Sequence, residues 1–443
     1  MNAKAAFCFI IACFWLPLPA LSQGALAAET REPKVYSLEA SIAEALEKNW
    51  NLKALEETLN QAMDVKRQAR ADFLPRFRTS YGYTRLDDVS NYESSLGGNI
   101  AVSSKDNYQW RSTATQPVFA GFALVSAYRL AALGIDQSRM NIALNRLDLA
   151  MRVKEAYFNV LIMDKALEVG LKEVEALGSN VEVTRSYYNA RVVPINDLLR
   201  AEMELANAEQ KLVESRNQAA LARSLLNTIL SRPVNAPLEV EDILAYTPEP
   251  LDLDDAIAAA LENRPEVKLI DIDIQRSEQQ INLARSGYYP EVNLAYDYIK
   301  EGDEPAVSGS PYHDDERWQL TLAGTWTFWE WGRTRYAVSQ RQSQKAELVK
   351  TRNAVADQVR LDVREAMLNI ATAEQNIPTT EKAVRQGEEN LRVNQEGFRA
   401  QFNTVTDVLD AQSLLTRARV NYYRALYTYH LANAELLRAT GRY

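Results

Sequence analysis

The sequence predicts a mainly α fold with a β-barrel portion, written twice in one chain. Three observations predict it. Only 16 Gly and 15 Pro interrupt 443 residues, so the elements must be long. The second half repeats the first, at an offset of 215 that later becomes 210. In each half the apolar period also switches from that of a helix to the period of two of a strand. Composition excludes several function classes. A content of 47% apolar and 25% charged residues is that of a folded protein. A net charge of −9 without a basic cluster argues against nucleic acid as a partner. Two His and two Cys leave little material for a metal site or a nucleophile–base pair.

The first element is a leader. Lys4 precedes an apolar run over residues 5–18, too short to span a bilayer, and Ala25-Leu26-Ala27 offers a small-x-small cleavage site. Residues 1–28 therefore read as a signal peptide. Cys8 and Cys13 both lie in it, so the mature chain carries no cysteine. Ile10-Ile11-Ala12-Cys13 loosely resembles a lipid-attachment box, but cleavage there would strand the apolar residues 14–20.

The first repeat (29–232) opens with a helix over residues 37–71. Leu38, Ile42, Ala45, Leu46 and Glu47 return as Leu253, Ile257, Ala260, Leu261 and Glu262, so the second repeat (251–443) opens with a helix over 253–286. Pro75 and Pro290 end these helices. Next come strands: Phe77, Thr79, Tyr81 and Tyr83 alternate with Arg76, Arg78, Ser80 and Gly82, and Val292, Leu294, Tyr296 and Tyr298 alternate with polar residues likewise. Polar loops (87–106, 300–316) lead to second strands, one through Tyr108, Trp110 and Ser112, the other through Trp318, Leu320 and Leu322. Long helices follow over 124–188 and 334–398, each roughly 100 Å long at 1.5 Å per residue. Pro378 predicts a kink in the second. Short breaks (190–196, 400–406) lead to returning helices over 197–230 and 407–440, and a proline-rich linker, 233–250, joins the repeats.

Two readings follow. A coiled-coil envelope protein, structural or adhesive and without a pore, accounts for the helices alone. The strands argue for a pore. Each has about ten residues, the length that crosses a bilayer as a tilted strand. Tyr288-Tyr289 and the cluster Trp326, Phe328, Trp329 and Trp331 suit a membrane-interface girdle. Four strands cannot close a barrel, and an open edge in lipid costs several kcal/mol per unpaired group. Two copies would pool eight strands and a filled interior; three would pool twelve and leave a lumen. The polar face of Gln109, Arg111, Thr113, Thr115, Gln319, Thr321 and Thr325 suits water and favours three.

The leader, the duplication, the Leu-Pro and Tyr-Pro strand entries and the run Thr406-Asp407-Val408-Leu409-Asp410-Ala411 together resemble the TolC-type outer-membrane efflux protein family. The resemblance implies a homotrimer with a shared twelve-stranded transmembrane barrel in outer-membrane lipid and a long α-helical barrel reaching through the periplasm. It implies docking to a periplasmic adaptor protein and an inner-membrane pump, and a passive duct for efflux or type I secretion. Independently of the resemblance, the sequence holds no phosphate-binding Gly loop and no Gly-x-Ser-x-Gly, so neither an enzyme nor a cofactor is expected.

The resemblance also points to the helix breaks. Asp407 and Asp410 share one helix face and match the family's pore constriction. Six such carboxylates in a trimer would raise one another's pKa and gather cations. Asp197 matches an Asp of the family's closing latch, while its Tyr and Arg are Phe398 and Asn403 here. Tyr187, Tyr188, Arg191 and Arg399 stand nearby as a different latch. Asn196 or Thr406 would cap the returning helices. Val192, Val193, Phe402 and Val405 are expected to offer the adaptor apolar contacts at the tips. The histidines, His313 and His430, are read as satisfied or solvated, not as ligands.

Overall fold

The computed structural model describes residues 35–93, 99–101, 103–246, 252–312 and 314–443. The leader with Cys8 and Cys13, His313 and the end of the linker lie outside them. The chain starts with a short strand β1 (Val35–Tyr36), then α1 (Leu38–Lys48) and α2 (Trp50–Ala71). The expected single helix over 37–71 is thus two. Asn49 breaks it: its side-chain oxygen accepts from the N–H groups of Asn51 and Leu52, capping α2, while its amide donates to the Ile229 carbonyl at 3.2 Å.

Next come β2 (Arg76–Arg85), a small ribbon of β3 (Asn91–Glu93) and β4 (Asn99–Ala101) within the expected loop, and β5 (Asp106–Ala120). The helices α3 (Ala123–Asn189, 67 residues) and α4 (Ile195–Ile229, 35 residues) complete the first half. The linker is not structureless, because β6 (Glu239–Val240) pairs in parallel with β1.

The second half follows the same order: α5 (Leu253–Asn263), α6 (Pro265–Arg285), β7 (Glu291–Gly302), β8 (Glu316–Thr325), α7 (Arg333–Arg399, 67 residues) and α8 (Val405–Ala439, 35 residues). Its first helix also splits, at Arg264, because Pro265 disfavours the α conformation in the residue before it. α7 runs through Pro378 without a break.

The four long strands form one antiparallel sheet in the order β2-β5-β7-β8. The main core lies where the paired short helices pack on the long ones. Tyr157 is fully buried there, its hydroxyl 2.9 Å from the carbonyls of both Tyr36 and Glu241. It thereby ties the β1–β6 pair to α3, and burial pushes its pKa up to about 12. Arg264, buried at this level, donates to Asp362 at 2.6 Å and Glu266 at 2.8 Å, while Arg438 pairs with Asp148 at 2.7 Å. This network links α6, α7, α8 and α3. His430 lies between the rings of Phe158 and Tyr429, where burial lowers its pKa.

Candidate functional site: the helix tips and the open sheet

Both hairpin tips are built alike. The N–H of Val192 bonds the Tyr187 carbonyl and that of Arg191 bonds Tyr188; Phe402 and Gln401 repeat this on Gly397 and Phe398. These are Schellman closures, with Arg191 (φ 58) and Gln401 (φ 63) in the left-handed region. Such closures place an apolar contact between the residue after the left-handed one and the residue five earlier. At the first tip those positions hold Val192 and Tyr187. At the second they hold Phe402 and Gly397, which has no side chain to offer. Phe402 is accordingly 89% exposed. A Cβ at position 397 would lie 2.6 Å from Asn403 Nδ2, so a larger residue there would require the Asn403 side chain to move.

The helix starts differ. At α8, Thr404 is the cap: its hydroxyl accepts from the Asp407 N–H at 3.3 Å, and Asp407 Oδ2 accepts from the Thr404 N–H at 2.8 Å. The cap is therefore Thr404, not Thr406. At α4 the cap position is Pro194, not Asn196, and no side chain caps it. The Thr404 bonds hold the Asp407 carboxyl below the usual aspartate range within one chain. Asp407 and Asp410 are both exposed.

The latch residues take different partners within the chain. Asp197 is half-buried in the first turn of α4. The Phe398 ring lies 5.4 Å from Tyr187, and Asn403 Nδ2 donates to Asn394 on its own hairpin. Two other contacts join the hairpins: Arg200 Nη1 donates to Thr406 Oγ1 at 2.6 Å, and the Tyr187 hydroxyl to the Arg399 carbonyl at 3.4 Å. Of the four expected docking residues, Val192 and Phe402 are exposed and Val193 is half-buried. Val405 departs from expectation. It is 2% exposed, packed among Leu177, Val181, Leu198 and Leu409, because α8 turns this position toward the first hairpin.

In the sheet, one row crosses all four strands: Arg78, Thr113, Asp297 and Gln319. Asp297 accepts from Thr113 at 2.5 Å and Gln319 at 3.1 Å. Period-two parity alone could have added Arg76, Arg78, Asp297 and Glu301 to the polar face. The opposite face presents Phe77, Tyr81, Trp318, Leu320 and Leu322, all exposed. The outer edges of β2 and β8 have no strand beside them among the described residues. No group of acidic, His or Cys side chains among those residues is placed to hold a metal, and no helix is long and apolar enough to cross a membrane.

The sequence profile of the outer membrane efflux protein family matches residues 41–232 and 256–442. The chain is 22% identical over 398 residues to the outer membrane protein TolC of Escherichia coli (strain K12), covering 86% of this chain and 77% of the relative. It is 23% identical to the cobalt-zinc-cadmium resistance protein CzcC of Cupriavidus metallidurans, covering 92% and 90%. The crystal structure of the outer membrane protein VceC from Vibrio cholerae superposes with a TM-score of 0.77 at 17% identity, covering 91% and 96%.

Proposed function

The chain belongs to the outer membrane efflux protein family and is an outer-membrane efflux channel; we propose that it works as a trimer, a passive duct between an inner-membrane pump with its periplasmic adaptor and the exterior. One observation carries this reading. Four strands form a sheet whose two outer edges have no partner among the described residues, mounted on long helical hairpins. Such a sheet enters lipid only when other copies supply the missing partners. Three copies leave a lumen lined by the polar row.

At the far end, the exposed Asp407 and Asp410 line the constriction, six carboxylates in all. The two contacts between hairpins, Arg200 to Thr406 and Tyr187 to Arg399, do the work of the latch, in place of a set built on Asp197, Phe398 and Asn403. Val192 and Phe402 meet the adaptor. The test is electrophoresis and conductance: oligomers that survive detergent until heated, and ion conductance in planar bilayers. An oligomer without conductance would support the adhesive coiled-coil alternative. In single-channel recordings, Asp407→Ala/Asp410→Ala should reduce cation preference and block by trivalent cations; unchanged selectivity removes these residues from the constriction.

A further inference from the structure

A single chain shows three of the seams in its sheet and leaves the fourth, between copies, open. The duplication supplies it. Arg76 faces Thr115 across β2–β5, and Glu291 faces Thr325 across β7–β8. The two hairpins are thus the same hairpin, with β2 returning as β7 at offset 215 and β5 as β8 at offset 210. The seam between hairpins is β5–β7, where Thr113 faces Asp297 and Ala114 faces Tyr296. A bulge between Pro117 and Phe119 then sets Phe119 against Val292 and Ala120 against Glu291.

Carrying each residue to its counterpart turns that seam into β8 against β2 of the next copy. We infer that this is the register in which copies join, and it rests on the trimer reading above. Ala323 faces Gly82 of the neighbouring copy, Leu322 faces its Tyr83 and Gly324 its Tyr81. Past an equivalent bulge, Trp329 faces its Phe77 and Glu330 its Arg76.

Two independent features agree with this register. First, the faces match along the whole seam. Leu322, Trp326 and Trp329 meet Tyr83, Thr79 and Phe77 on the lipid side, while Ala323 and Thr325 meet Gly82 and Ser80 on the water side. A slip of one residue would mix the faces and bring Arg76 and Arg78 alongside apolar lipid-facing neighbours. Glu330 and Arg76 are also of opposite charge. Second, β8 stops at Thr325, whereas the counterpart of residues 326–330, residues 116–120, lies inside β5. In β5 that stretch extends past the start of β2 and is paired only by β7. Residues 326–330 extend past the start of β7 in the same way, so their pairing partner is the neighbour's β2. The seam therefore lengthens β8 through Glu330 and sets Trp326 and Trp329, 59% and 66% exposed in the single chain, into ordered strand.

The sequence has two cysteines, Cys8 and Cys13, both in the expected leader, so introduced pairs in the strands can be read against the parent as a control. Gly82 has open space at its Cβ position. Directly opposed Cβ atoms lie about 4.5–5.5 Å apart and diagonal ones about 7–8 Å, beyond a disulfide's reach. In oxidised outer membranes, A323C/G82C should give covalent dimers and closed trimers, severalfold above the two-residue slips A323C/S80C and A323C/T84C. Stronger cross-linking of a slip pair overturns the register, as does none for A323C/G82C in a variant that still migrates as a detergent-resistant trimer. A parent protein that is monomeric in the membrane overturns the assembly, and the seam with it. As a second readout, Glu330→Arg should lower the temperature at which the trimer falls apart in detergent, and adding Arg76→Glu should restore it. Equal melting of both variants and the parent counts against the extension to Glu330.

Discussion

The long helices α3 and α7 are equal in length and occupy the same place in their repeats, yet α3 buries 18 residues and α7 eight. The cause is position. α3 packs on α1, α2, α4, α6 and α8, whereas α7 packs on α5, α6 and α8. Between the short helices the second half is the more buried: α6 lies between α3 and α7 and buries five residues, while α2 packs on α3 and buries Leu52 alone. Duplicated sequence therefore does not mean duplicated burial. The interior of the chain is drawn from both halves, α3 from the first and α6 and α8 from the second; on the trimer reading, the exposed sides of α2 and α7 are where the next copy would continue the pattern set by α6.

The largest expected difference is in the core. Tyr157→Ala should cost about 3–5 kcal/mol in denaturation of the detergent-solubilised protein. Its counterpart Met367 is only half-buried, and Met367→Ala should cost about half as much. Equal losses would mean that the halves are equally packed. Next is the pair of helix breaks. Arg264→Ala should cost about 2–3 kcal/mol, below the value for a fully buried pair because Asp362 keeps 28% of its side chain in water. Asn49→Ala removes a cap and should cost about 1 kcal/mol.

At the tips, stability and activity should separate. Phe402→Asp should change stability by less than about 0.5 kcal/mol, since the side chain touches almost nothing, and abolish export from cells. Val405→Asp places a charge in the tip cluster and should destabilise the hairpin measurably. Normal export by Phe402→Asp trimers would remove that residue from docking. The smallest effect concerns pH. The Asp407 carboxyl is held below its unfolded value, so its contribution is present above about pH 4 and is lost as pH falls through the lowered value. Hydrogen exchange at the start of α8, corrected for intrinsic rates, should rise over that interval and lose this dependence in Asp407→Asn.

Much of this architecture is legible in the sequence, because periodicity and duplication are local patterns that survive divergence. Strand alternation separated an apolar from a polar face of the sheet, as the pairing registers bear out. What escaped depended on partners far along the chain. The burial of Val405 is decided by Leu177, Val181 and Leu198, and Arg200 reaches Thr406 across 206 residues. The breaks at Asn49 and Arg264 hid beneath a continuous apolar period, although Pro265 marked the second. The α8 cap was legible as Thr404-x-x-Asp407 and was assigned two residues too late.

On the docking proposed above, a trimer would offer the adaptor three equivalent copies of Phe402. Burying one phenylalanine side chain contributes about 1.5–3 kcal/mol, which by itself is millimolar-or-weaker binding. Three copies on a common axis would make the second and third contacts intramolecular, turning a feeble individual grip into a firm collective one. Docking strength should then fall in steps as Phe402→Asp subunits are mixed into wild-type trimers, and a single altered copy should already shorten the residence time of the adaptor.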